Sequence, residues 1–238
     1  MSRRSKLIII LLLVLTAAVI VFALFFMGRG GETSSVALPS PGQSSAVETG
    51  FPSAERITLT EENVQAVLAE LNRAESYSCT VTVDDYWSDG SSTSQLQVWV
   101  NAGRTRIRLA SGGGTKNILL DNGMLYIWYD SVSGVYSEPY EDSSDRWMRC
   151  ITYEDVLLLP VEDILSAGYT QHAGENCISV EYTDVGVFGY THRIYVSVNT
   201  GLLMGSETYD GDTLIYRMYS TIPDLNTPEE NLFSPPDN

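Results

Sequence analysis

The apolar positions of this 238-residue chain change period twice. From Leu7 to Met27 they are continuous: LIIILLLVLTAAVIVFALFFM carries no charge, and Thr16 is its only polar member. Twenty-one residues at a helical rise span about 30 Å, the thickness of a bilayer's hydrocarbon core. Phe26, Met27 and Gly28 offer no small-x-small cleavage site, so the run is expected to stay as a signal anchor. Arg3, Arg4 and Lys6 precede it and only Arg29 closely follows, which predicts a cytoplasmic N-terminus (residues 1–6) and an exported remainder in a single-pass cell-membrane protein. Residues 28–55 are rich in Gly, Ser and Pro with no apolar face, the composition of a flexible tether.

The folded region is expected over 56–238 and opens on a helical period. Val64, Val67, Leu68 and Leu71 form one stripe, with Thr60 as the expected N-cap and Glu61 and Glu62 at the positive end of the dipole. From Tyr77 the period falls to two. Cys79, Val81 and Val83 share one strand face, then Leu96, Val98 and Val100 follow the Ser88-Asp89-Gly90 break. Thr105, Ile107 and Leu109 come next, then Ile118 and Leu120, then Met124 to Tyr129 after Asn122-Gly123, a strong hairpin signal. TYEDVLLLPVEDILSA, Thr152 to Ala167, predicts two short helices, with Pro160 in the first turn of the second and Gly168 ending it. Four further strands are expected over Cys177–Tyr182, Tyr190–Val198, Leu202–Tyr209 and Leu214–Ile222. The total is nine or ten antiparallel strands, since the connections are too short for parallel crossovers.

A meander of that size must close or curl. The fold class expected is therefore α+β, mainly β: a curved antiparallel sheet or unclosed barrel with one leading helix and a helical insertion, preceded by a transmembrane helix. Its concave apolar face needs cover, and whatever the helices leave uncovered is a cavity for an apolar ligand. The rows expected to line it are Val81, Val83, Val98, Val100, Ile107, Leu109, Ile118, Leu120, Ile194, Val196 and Val198.

The order of elements resembles the LolA-like and LolB-like half-barrels, which include lipoprotein carriers, lipid-binding lipoproteins and regulators of an envelope-stress sigma factor. The resemblance runs from Thr58 to Pro236. It is carried by the helix leading into ESYSCTVTV, by GRTRIRLA before NILLDNGMLYIWYDSVSGVYSEP, and by HRIYVSVNTGLLMGSETYDGDTLIYRMYS closing on ENLFSPPD. It implies non-catalytic binding of a lipid, an acyl chain or a lipidated protein in the concavity. The anchor distinguishes this chain from soluble carriers. An envelope sensor that acts on a protein partner through its surface, its barrel filled, is the alternative.

Composition narrows the chemistry. All 30 acids but only 11 of the 14 basic residues follow the predicted span, leaving the exported part at −19, a charge that repels nucleic acid. Two His and three Cys without CxxC spacing make a metal site unexpected, and no cofactor is implied. GxSxG, HExxH, GxxxxGK[ST] and GxGxxG are all missing, so no catalytic residue is expected. Asp85–Gly90 imitates a calcium loop, but Trp87 occupies a ligand position; Glu138, Glu141, Asp142 and Asp145 read as a solvated loop. Arg104, Arg106 and Arg108 alternate on one face, expected to be solvated and paired with cross-strand acids. Trp87, Trp99, Trp128 and Trp147 are expected mostly as packing residues, with the inward-facing set as candidate cavity lining. Cys150 and Cys177 are a candidate disulfide; His172 and His192 read as exposed strand or turn residues.

Overall fold

A computed structural model describes residues 57–141, 145–183 and 189–236. The expected anchor and tether, over residues 7–27 and 28–55, lie outside the described residues. Among those described, no helix is long and apolar enough to cross a membrane.

A short helix, α1 (Val64–Ala69), leads into six strands: β1 (Ser76–Trp87), β2 (Gly90–Asn101), β3 (Arg104–Ser111), β4 (Gly114–Asp121), β5 (Met124–Tyr129) and β6 (Val132–Pro139). A linking segment then carries α2 (Arg146–Arg149), α3 (Glu154–Leu157) and a 3₁₀ turn, Val161–Asp163. Five strands follow: β7 (Ile164–His172), β8 (Glu175–Thr183), β9 (Thr191–Ser197), β10 (Leu203–Asp210) and β11 (Thr213–Ser220). A 3₁₀ turn at Glu230–Phe233 comes last.

All eleven strands form one antiparallel, unclosed sheet in the order β6-β5-β4-β3-β2-β1-β11-β10-β9-β8-β7. Two meanders are therefore joined at the β1–β11 pair, with Val81 opposite Ser220 and Asp85 opposite Tyr216. The linking segment runs from one outer edge of the sheet to the other. Laid flat, eleven strands at their usual spacing would extend about 48 Å. Yet Ile118 and Leu125 from one meander and Ile164 and Ile178 from the other belong to one apolar cluster with Val64, Leu68, Met148 and Val156 of the short helices. The sheet thus wraps around the helices. This unclosed antiparallel sheet with the short helices packed on one face is the mainly β, α+β class expected from the order of elements.

Several expectations need correction. The helix proper starts at Val64 with Asn63 at its cap position, not Thr60. Thr60 shapes the preceding turn instead: its carbonyl accepts from Val64 N–H at 3.0 Å, and its own N–H donates to Asn63 Oδ1 at 2.9 Å. The second helix expected before Ala167 is only the 3₁₀ turn after Pro160. Ile164 opens β7, and Gly168 lies within that strand. The apolar spacing there fits a twisted edge strand as well as a helix, and pairing with β8 decides it. Helix α2 and strand β6 were not expected; Asp145, taken for a solvated acid, caps α2 by accepting from Trp147 N–H at 2.9 Å. It is also buried and ion-paired with Lys116 on β4, which ties the link to the sheet.

Candidate functional site

The helix-covered face has a filled middle and an open end. The middle is floored by Val81, Val83, Val98, Ile107, Ile118, Ile194 and Val196, all buried in the main cluster. Side-chain alternation on each strand points them the same way, under Val64 and Leu68 of α1 and Val156 of α3. Val100, Leu109 and Leu120 are only partly buried beside this core. Val198 departs from the row at 39% exposure, one residue past the end of β9 at Ser197.

At the open end Val100 and Leu120 line a groove of about 980 Å³. Its other apolar walls include Tyr77 on β1, Met148 and Ile151 in the link, and Leu202 and Leu203 at the start of β10. Leu120 and Leu203 stand on strands five spacings apart, which meet across one groove because the sheet curls. Tyr153 fixes the link over this end. Its hydroxyl donates to the Gly201 carbonyl at 3.0 Å, and the Arg73 guanidinium lies 4.5 Å from its ring centroid. Gly201 itself has φ +64°, and a Cβ there would stand 2.9 Å from Arg73 Cα, so the two backbones meet where only glycine fits. The rim carries paired charges: Arg73 with Glu154, and Arg149 with Asp155 at 3.5 Å.

Tyr77 could have been found in the sequence, since it shares the parity of Cys79, Val81 and Val83. Met148, Ile151 and Tyr153 could not, because the link has no sustained period. Burial pushes the Tyr77 hydroxyl far above the ordinary tyrosine range, leaving it a neutral wall group.

The other candidates fall elsewhere. Arg104, Arg106 and Arg108 face away from the helices. Arg104 donates to Glu230 at 2.8 Å and lies 4.7 Å from the Phe233 ring centroid, and Arg108 pairs with Asp130 at 3.3 Å. Arg106 is not solvated as expected: it stacks on Trp128 at 4.1 Å, donates to Asn117 Oδ1 at 2.7 Å, and keeps Nε and Nη1 buried without partners. Burial pushes it down to about 10. Trp99 and Trp128 pack on this opposite face with Leu119 and Phe233, so they do not line the trough; Trp87 is exposed. Trp147 lines a second cavity of about 370 Å³ beside Tyr182, His192 and Tyr216.

All three cysteines are free thiols. The candidate Cys150–Cys177 bond is not formed, since the two lie in different places: Cys150 lines a small void with Cys79, whereas Cys177 lies buried beside Thr170. Neither histidine is a simple exposed residue. His192 stacks on Tyr182 at 5.0 Å, and His172 stacks on Tyr195 at 4.0 Å.

No family model and no curated protein matches the chain. Among solved structures it is similar to the Pseudomonas aeruginosa MucA/MucB complex, at 19% identity over 74% of this chain and 61% of that one, with a TM-score of 0.48. It is also similar to a LolA superfamily protein from Nitrosomonas europaea, at 12% identity over 74% of this chain and 98% of that one, TM-score 0.38. A DUF1329 family protein from Desulfovibrio piger gives 12% identity over 73% and 95%, TM-score 0.36. The chain spans 60–62% of the length of the MucB structures it resembles.

Proposed function

We propose that this chain is a non-catalytic, membrane-anchored envelope module whose exported half-barrel holds a lipid, an acyl chain or a lipidated protein in the groove between β1–β4 and the link. The carrying observation is the groove itself: about 980 Å³ with walls of Tyr77, Val100, Leu120, Met148, Ile151 and Leu203. That volume suits a ligand buried over most of its surface. The uncharged 21-residue run at Leu7–Met27, with Arg3, Arg4 and Lys6 before it, supports anchoring with the domain outside the cytoplasm. Delipidated residues 56–238 are expected to take up a fluorescent fatty acid saturably, and Leu120→Glu, which places a charge on the apolar wall, to weaken uptake by at least about tenfold. No saturable uptake by the unmodified domain overturns the proposal.

The filled middle of the trough favours a second reading, an interaction protein that acts through its surface. Native mass spectrometry separates the two: a stoichiometric protein partner with no lipid supports the second, and a copurifying lipid the first.

A further inference from the structure

The two edges of the open sheet are not alike. β6 carries Gly134 at φ +105°, Glu138 and the terminal Pro139, and its pairing with β5 shifts register between Ile127 and Tyr129. Proline, charge and irregularity are the usual guards of an edge. β7 has none of these along Ala167–His172. Its sequence, ILSAGYTQH, contains no Lys, Arg, Asp, Glu or Pro, and its one register shift lies near its start, between Ile164 and Ser166. Among the described residues it is paired on one side only, to β8. Leu165 and Tyr169 are exposed along it. A depression of about 480 Å³ begins at this edge and runs inward, lined by Tyr169 and Gln171 of β7, Asn176 of β8 and Val198 just past β9.

Charge identifies the occupant. From Cys150 to His192 the sequence has seven carboxylates and no Lys or Arg. Glu162 and Asp163 stand just before β7 and Glu175 just after its turn, and among the described residues none of the three takes part in an ion pair. A second copy of this chain fits poorly: antiparallel β7–β7 pairing would set Glu162 and Asp163 of one copy against Glu175 of the other. A cationic extended strand meets opposite charge at both ends. We propose that the β7 edge is a strand-addition site for a basic, extended segment of a partner protein, separate from the groove.

The test uses the full chain in phosphatidylcholine nanodiscs, with empty nanodiscs as the blank, and a fluorescent nonapeptide of alternating Lys and Val as the probe. In a strand, alternate amides point to opposite sides, so N-methylating only the Val positions or only the interior Lys positions blocks one side at a time. One of the two methylated peptides is expected to bind at least tenfold more weakly and the other nearly as well as the parent. The double variant Glu162→Lys/Asp163→Lys, on the surface and checked for an unchanged melting temperature, is expected to lose at least tenfold. Equal binding by both methylated peptides, equal loss in both, or full binding to the charge-reversed variant overturns the site. Fatty-acid uptake by that variant is expected to stay unchanged, which keeps this result distinct from the fate of the groove.

Discussion

His172 and Gly205 form one fitted contact on the face away from the helices. The imidazole lies nearly parallel to Tyr195, with ring planes 10° apart, and its Nε2 is buried without a hydrogen-bond partner. Burial pushes its pKa below the ordinary histidine value, against a weaker opposing pull from Glu207, so the ring is held neutral. A Cβ at Gly205 would stand 2.4 Å from that Nε2. Gly205→Ala is therefore expected to cost about 1–3 kcal/mol in urea unfolding, as overpacking does. In a His172→Ala background most of that cost should vanish, since the two positions share one contact. Cys150 shows the same burial acting on a thiol, pushed up to about 12. Below the unfolded thiol's pKa, near 9, both states keep the proton and the stabilisation is full. Above it only the unfolded state releases the proton, so this contribution is lost as pH rises from about 9 towards 12. A thiol reagent at pH 8 is expected to leave Cys150 unlabelled in the folded protein and to label it once urea unfolds the chain.

At the scale of elements, what was legible in the sequence follows the strength of the local period. β1 to β3, β8 and β9 carry alternating apolar rows, β4, β5 and β10 carry short apolar runs, and Asn122-Gly123, at φ 49° and 74°, marks its hairpin as such a pair should. The turns at Ala102-Gly103 and Ala173-Gly174 adopt the same positive angles with alanine in the first position, a weaker signal. β6 escaped notice because Gly134 and Pro139 break its pattern, and the edge of a sheet tolerates both. In the link, α2 and α3 have four residues each, too few for any periodicity. Their position depends on tertiary contacts instead. One side chain carries much of this: Gln65 of α1 donates to the Val156 carbonyl at 2.8 Å and the Leu159 carbonyl at 2.9 Å. Gln65→Leu strands both acceptors in a half-buried place and is expected to cost about 1–3 kcal/mol. Hydrogen exchange should show the loss first in residues 153–163. The candidate groove was legible in part for the same reason. Val100 and Leu120 lie on regular strands, whereas the residues that roof the groove come from the aperiodic link.

At the scale of the whole molecule, the sheet is held on both faces. Inside it carries the helices; outside, the C-terminal segment crosses the first meander. Ser78 and Asp224 exchange backbone hydrogen bonds at 2.8 Å each, and Phe233 then packs on Leu119 and Trp128. Phe233→Ala uncovers those rings and is expected to cost about 3–5 kcal/mol. A red shift of tryptophan emission in the still-folded protein would locate the change at the Trp99–Trp128 cluster; unchanged emission would show that Phe233 is not what shields it.

The seam between the two meanders has a bearing on how the molecule comes into being. β1 is the first strand synthesised, yet its second neighbour is the last: Val81 waits for Ser220, 139 positions later. Until that final ribbon emerges, two separate fans exist, each with an unmated border, and the loop to be closed is most of the domain. Contacts so distant along the chain form slowly, and the unmated borders invite wrong pairings in the interval. A truncation anywhere before Thr213 would thus do more than shorten the protein: it would remove the ribbon that mates the two fans, leaving them joined through the helical link alone.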